Sequence, residues 1–177
     1  GTTNISVLDL GCNEGYFSLK LGARGLWVTG IDGDPKALAV AQYLRRRYSI
    51  EKTAFYRILT DREDIEQLPT FDVVIFLSTF QKWCGQYGFD ESLQMLEILW
   101  SKANHLMFFE MSDSLESEDK FKSTIPDMGA TKNECKEYIM QMLETSTSGI
   151  VEWIGDYHME YRSEVRSLFA IYGSRRN

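Results

Sequence analysis

The stretch Val7-Leu8-Asp9-Leu10-Gly11-Cys12-Asn13-Glu14-Gly15-Tyr16-Phe17-Ser18 constrains this chain more than any other. Ile5 to Leu10 is a short apolar run stopped by a glycine, the pattern of a buried strand, and a helix begins near Gly15. A strand that passes through a glycine-bearing turn into a helix opens a parallel β–α–β unit. Such a turn lets backbone N–H groups approach a ligand at the open end of a sheet without side-chain obstruction.

The same alternation runs down the chain. Leu26 to Ile31 reads as a second strand closing on Asp32, and Asp34-Pro35 supplies a cap and a first helical residue for the helix after it. Ala37, Val40, Ala41, Leu44 and Tyr48 give that helix one apolar face. Ala54 to Leu59 is a third strand, and Asp72 to Leu77 a fourth, apolar enough to be buried on both faces. Leu93, Leu96, Leu99, Trp100 and Ala103 mark a helix, His105 to Met111 a fifth strand, and 131–145 a further helix. Two strand-like runs, Ile150 to Met159 and Ser167 to Tyr172, have no helix between them and read as an antiparallel hairpin at the sheet's edge. The expectation is an α/β fold over 1–177 as a single domain. Its doubly wound, seven-stranded, mostly parallel sheet has an antiparallel edge strand and helices on both faces. Ser112 to Lys122, acidic and poor in apolar residues, is expected to be a mobile loop.

With 177 residues, 44% of them hydrophobic, the chain can bury a core without a metal or disulfide staple. The net charge of −7 argues against a broad electrostatic grip on nucleic acid. Arg45-Arg46-Arg47 reads as a solvated helix end and Arg175-Arg176 as a polar tail. Cys12, Cys84 and Cys135 are too scattered for a disulfide framework or a paired zinc spacing, so no metal and a reducing cytoplasm are expected. No apolar run reaches the roughly 18 residues of a membrane span, and Gly1 to Asn4 carry no signal-peptide pattern.

Asp32, at the end of the second strand, is placed to accept both hydroxyls of a ribose. A dinucleotide enzyme would carry Gly-x-Gly-x-x-Gly to bring a pyrophosphate to the helix N-terminus. Here the loop reads Gly-x-Asn-x-Gly, with Asp9 before it and Glu14 within it. Those carboxylates repel a pyrophosphate and welcome a ligand bearing an ammonium and a sulfonium. The electrostatics favour S-adenosylmethionine over NAD.

These residues resemble the class I S-adenosylmethionine-dependent methyltransferases. Val7 to Ser18 looks like their first motif, Asp/Glu-x-Gly-x-Gly-x-Gly, with Asn13 where the middle glycine usually stands. Asn tolerates positive φ, so the turn should survive. Gly30-Ile31-Asp32-Gly33-Asp34 resembles the second motif, Leu59-Thr60-Asp61-Arg62 the third, and Phe71 to Ser78 the fourth. The resemblance implies S-adenosylmethionine lying across the first four strands. Asp9, Gly11, Cys12, Asn13, Gly15, Tyr16 and Phe17 would flank its methionine portion. Asp32 and Gly33 would hold the ribose, Thr60, Asp61 and Arg62 would meet the adenine, and Leu77 and Ser78 would lead into the reaction cleft. Many relatives carry helices before the first strand that help recognise the methyl acceptor. This chain starts almost on that strand, so it reads as a domain lacking such an extension, which a protein partner could supply.

The run Ser78-Thr79-Phe80-Gln81-Lys82-Trp83-Cys84-Gly85 sits where the methyl acceptor should enter. Trp83 would stack a planar group and Lys82 meet an anion; the plainer reading is a lid aromatic and a solvated lysine. Glu110, ending the fifth strand, is a candidate base or orienting group, or else a strand-end carboxylate. His105 and His158 read as structural, and Cys84 as incidental. There is no Asp/Asn-Pro-Pro-aromatic or Pro-Cys after the fourth strand, which argues against amino-methylating nucleic-acid enzymes and against cysteine attack on a pyrimidine. The Leu-Ser-x-x-x-Lys-Trp run with Phe109-Glu110 faintly resembles the RNA methylphosphate-capping methyltransferases. The expected function is methyl transfer to an oxygen or nitrogen of a small molecule. The alternatives are an RNA acceptor, through a terminal phosphate or a base, and a non-catalytic S-adenosylmethionine-binding regulatory relative; a nicotinamide oxidoreductase is more distant.

Overall fold

The strands pair in the order β3-β2-β1-β4-β5-β7-β6. In this computed structural model, which describes residues 4–115, 124–158 and 165–173, the strands are β1 (Ser6–Leu10), β2 (Trp27–Asp32), β3 (Thr53–Arg57), β4 (Phe71–Leu77), β5 (Ala103–Glu110), β6 (Ile150–His158) and β7 (Val165–Tyr172). The helices are α1 (Tyr16–Ala23), α2 (Pro35–Arg47), α3 (Arg62–Gln67), α4 (Phe80–Tyr87), α5 (Phe89–Ser101) and α6 (Lys132–Thr147). β1 to β5 run parallel, and β7 is antiparallel to both of its neighbours. The hairpin expected at the edge is present, and its reversed strand is β7, seated between β5 and the edge strand β6. The order turns back between β1 and β4, where a doubly wound sheet opens a crevice at its carboxyl ends.

The central strands are apolar on both faces because both are covered. Leu8, Leu10, Val74, Phe76, Met107 and Phe109 point into the larger core, which Ile65, Phe80, Leu96 and Leu143 complete from α3, α4, α5 and α6. Val7, Val28 and Ile75 point the other way, towards Leu21 of α1. Asp34 caps α2 by accepting from the N–H of Lys36 at 2.8 Å, with Pro35 first in the helix. Thr131 and Glu134 close a capping box on α6.

Two helices escape the hydrophobic pattern. α3 buries only Ile65, so it shows no stripe; a reciprocal capping box between Asp61 and Asp64 starts it. α4 runs through Lys82-Trp83, where no helix was expected, with Phe80 and Cys84, one turn apart, both buried. The expected loop Ser112 to Lys122 lies largely outside the described residues; Ser112 and Asp113, its described start, are buried. Arg175, Arg176, Met159 and the His158 side chain also lie outside them. Among the described residues no helix is long and apolar enough to cross a membrane.

Candidate active site

The turn after β1 is pinned to β2. The N–H groups of Gly11 and Cys12 both donate to the Ile31 carbonyl, at 2.8 and 3.0 Å. Gly11 and Asn13 take left-handed φ values of 82° and 49°, so the asparagine adopts the conformation anticipated for it. A Cβ on Gly11 would fall 2.1 Å from Thr79 Oγ1, and one on Gly15 would fall 2.7 Å from the Phe55 ring. Both glycines are therefore demanded by close packing within the protein as well as by the turn.

Asp9 is turned under this loop. Its Oδ2 accepts from the Ser18 N–H at 3.1 Å and the Ser18 hydroxyl at 2.6 Å, which ties β1 to α1. Burial raises its pKa from 3.8 to about 6, against the lowering effect of the Ser18 bonds. Cys12 is buried, and desolvation, reinforced by the charge of Asp9, pushes its thiol far above the usual range. It is inert. Tyr16 and Phe17 are exposed at the start of α1, edge to face at 5.1 Å, with Lys20 over the Tyr16 ring.

Asp32 is the group best presented to a ligand. Its Oδ2 accepts from the Asn13 N–H and its Oδ1 from the Asp34 N–H, each at 2.8 Å. Each oxygen keeps a further lone pair. The carboxylate borders a cavity of about 220 Å³ that Leu10, Ile31, Ile58 and Leu59 make apolar, with Gly33, Thr60, Lys82 and Trp83 also lining it. Leu59, expected to end the third strand, lies just beyond β3 and is 69% exposed. Asp61 and Arg62, expected at the adenine, are not among the residues lining this cavity. Asp61 caps α3, accepting from Asp64 N–H at 2.9 Å. Arg62 reaches Glu66 at 3.2 Å and Gln94 at 2.9 Å.

Beyond β4 the chemistry is long-range. Ser78, at φ 54°, donates its hydroxyl to Glu110 Oε2 at 2.6 Å. Arg166 Nη1 donates to Glu110 Oε1 at 2.7 Å and to the Ser78 hydroxyl at 3.1 Å. Glu110 and Arg166 are 1% and 6% exposed. Burial first, then the charge of Glu110, holds the ionisation of Tyr157 well above the usual phenol range. Both oxygens of Glu110 are thus engaged, one by Ser78 and one by Arg166. Trp83 is 3% exposed and packs on Phe76 with ring centroids 4.6 Å apart. Its body belongs to the core, because α4 turns it inward, while Lys82 is exposed at the cavity rim. Leu77 packs partly buried on the Val7–Ile75 side of the sheet. Arg166 and Tyr157 went unnoticed in the sequence because nothing local marks them: Glu110 is 56 residues from Arg166. Among the described residues no group of His, Cys, Asp and Glu could hold a metal ion.

Residues 8–102 match the family model described as a methyltransferase domain. The chain is 34% identical over 97 residues to the O-antigen chain terminator bifunctional methyltransferase/kinase WbdD of Escherichia coli, covering 54% of this chain and 14% of that protein. It is 38% identical over 84 residues to the ubiquinone biosynthesis O-methyltransferase of Pseudomonas savastanoi pv. phaseolicola, covering 46% and 34%. These matches span about a third or less of each relative. A crystal structure of WbdD superimposes with a TM-score of 0.78 at 24% identity, over 95% of this chain and 35% of that one. Magnesium protoporphyrin IX methyltransferase from Synechocystis PCC 6803, solved with bound S-adenosylmethionine, gives 0.67 at 19% identity, over 98% and 72%. Those two structures share the fold. With more than half its length matched by the family model on this seven-stranded frame, the chain belongs to the class I S-adenosylmethionine-dependent methyltransferases.

Proposed function

We propose that the crevice between the β1 turn, β2 and β3 holds S-adenosylmethionine and that its methyl group passes to an oxygen or nitrogen of a small molecule. The observation that carries this reading is Asp32: a carboxylate locked by two backbone amides, with lone pairs left over, beside an apolar slot. That donor set fits a nucleoside, whose ribose offers two hydroxyls and whose base prefers apolar walls such as Ile58 and Leu59. A cavity of about 220 Å³ is below the ~300 Å³ at which sites for whole ligands begin, so it takes the nucleoside end. The rest of the cofactor would lie along the Gly11–Gly15 turn, where Asp9 acts as a positioning residue and Asp32 adds charge suited to a cation.

When bound, S-adenosylmethionine would supply an electrophilic methyl on a sulfonium, which an acceptor oxygen or nitrogen would take as the C–S electron pair stayed on sulfur and the acceptor's proton passed to solvent. The protein's part is to hold both partners in register and exclude water, which supplies much of such a reaction's acceleration. Support for a small acceptor comes from relatives named for ubiquinone biosynthesis and magnesium protoporphyrin IX, and from the net charge of −7. The test pairs titration calorimetry with S-adenosylmethionine and a labelled-methyl transfer screen of cell extract split into small-molecule, RNA and protein fractions. The label should appear in the small-molecule fraction with weak salt dependence. Label in RNA that falls steeply with salt would replace this reading.

A further inference from the structure

Resting on the cofactor reading above, we propose that Gln86 selects a purine bearing an amino group at C6, with Tyr87 as the positioning residue that fixes which way the Gln86 amide faces. The cavity beside Asp32 has apolar walls in Ile58 and Leu59, and Asp61 and Arg62 do not line it, so the polar edge of a bound base has to be read from elsewhere. α4 supplies the groups. Lys82 and Gln86, four residues apart on that helix and both exposed, line the same cavity, while Phe80 and Cys84 are buried. Thr60 and Tyr87 line it too, so all of these groups share one ligand space with Asp32.

A chain of two hydrogen bonds sets the polarity. The Tyr87 hydroxyl donates to the Thr60 carbonyl at 3.3 Å, and a carbonyl only accepts. A phenol owns one proton, so towards its other neighbour the Tyr87 oxygen can only accept, and it does so from Gln86 Nε2 at 2.8 Å. The amide is thereby held one way round, because turning it over would set Oε1 against the lone pairs of Tyr87. What Gln86 keeps for a ligand is Oε1, which has no hydrogen-bond partner among the described residues, and the second proton of Nε2. An acceptor beside a donor matches an adenine edge, where the C6 amino group donates and the neighbouring ring nitrogen accepts; a glutamine amide meets that pair with two bonds. A 6-oxo purine instead puts a carbonyl opposite Oε1. Two acceptors then face each other, at a cost of about tenfold in affinity.

The test titrates the full chain calorimetrically with S-adenosylhomocysteine and with its deaminated analogue S-inosylhomocysteine, which differ only at C6 and N1 of the base. The parent should hold the adenosyl compound about tenfold tighter. Gln86→Leu, a change at an exposed position that keeps the melting temperature, should bring the two compounds to parity by weakening the adenosyl one alone. Tyr87→Phe should also bring them towards parity, but by the opposite route: the freed amide can turn over, so the inosyl compound gains affinity while the adenosyl one holds. A merely structural role for Tyr87 would weaken both together. No discrimination by the parent, a preference that survives Gln86→Leu, or equal weakening of both compounds in Tyr87→Phe would overturn the proposal. Failure of the parent to bind either compound would instead bring down the cofactor reading, and this inference with it.

Discussion

The surroundings of Asp32 and of Glu110 are built on different principles. On the nucleotide side, Asp32 is held by backbone amides of its own neighbourhood, from Asn13 and Asp34. At the end of β5, Glu110 is held by side chains far apart in sequence, Ser78 at a separation of 32 residues and Arg166 at 56. One is a turn that presents a charge; the other is a buried ion pair. Substitutions in the first should therefore be felt mainly in ligand binding, and substitutions in the second mainly in stability.

The largest effect expected is at the buried pair. Glu110→Gln removes the carboxylate that a sealed guanidinium faces and should cost about 3–5 kcal/mol in urea unfolding. A loss under about 1 kcal/mol would put the two on the same footing. Trp83→Ala should cost a similar ~3–5 kcal/mol, because it empties core space against Phe76. Asp32→Ala should instead leave the fold nearly intact and weaken S-adenosylmethionine binding by about a hundredfold, roughly 3 kcal/mol, in calorimetry. Affinity unchanged in that variant would remove Asp32 from the ribose.

A subtler effect belongs to Asp9. Its pKa rises from 3.8 to about 6 on folding, so the native state binds the proton more tightly than the unfolded chain does. Stability from this group is then greatest below pH 4 and falls as pH climbs to about 6, by up to roughly 3 kcal/mol. Asp9→Asn should lack that fall, so the variant gains on the parent between pH 4 and pH 7 in paired unfolding curves. Lys82→Ala, at the exposed rim, should change stability by less than about 0.5 kcal/mol; a larger loss would mean that the rim is part of the core.

The same contrast governs what could be read before folding. Asp34-Pro35 declared a helix start, Asp32 a strand-end carboxylate and Asn13 a tolerated positive φ, because each is settled by neighbours a few residues away. The methyltransferase motifs are legible for the same reason. α3 had its signal in Asp61-x-x-Asp64, a capping box that hydrophobic periodicity does not register. The burial of Trp83 was not legible because an eight-residue helix containing Gln, Lys and Gly shows no helical pattern until Phe80 and Cys84 are seen to share a buried side. Arg166 and Tyr157 are legible only once β7 is known to lie beside β5.

The placement of β7 also sets an order of events during synthesis. The five parallel strands and the glycine turn leave the ribosome first and contain everything that holds Asp32. Glu110 leaves with them, yet its guanidinium partner arrives only with β7, after α6 and β6 have been made. Pairings of such sequence separation close late, and β5 stays an open edge until the hairpin inserts. A nascent chain of this protein would therefore complete the hydrogen bonds that hold Asp32 before the buried pair of Glu110 and Arg166 can form.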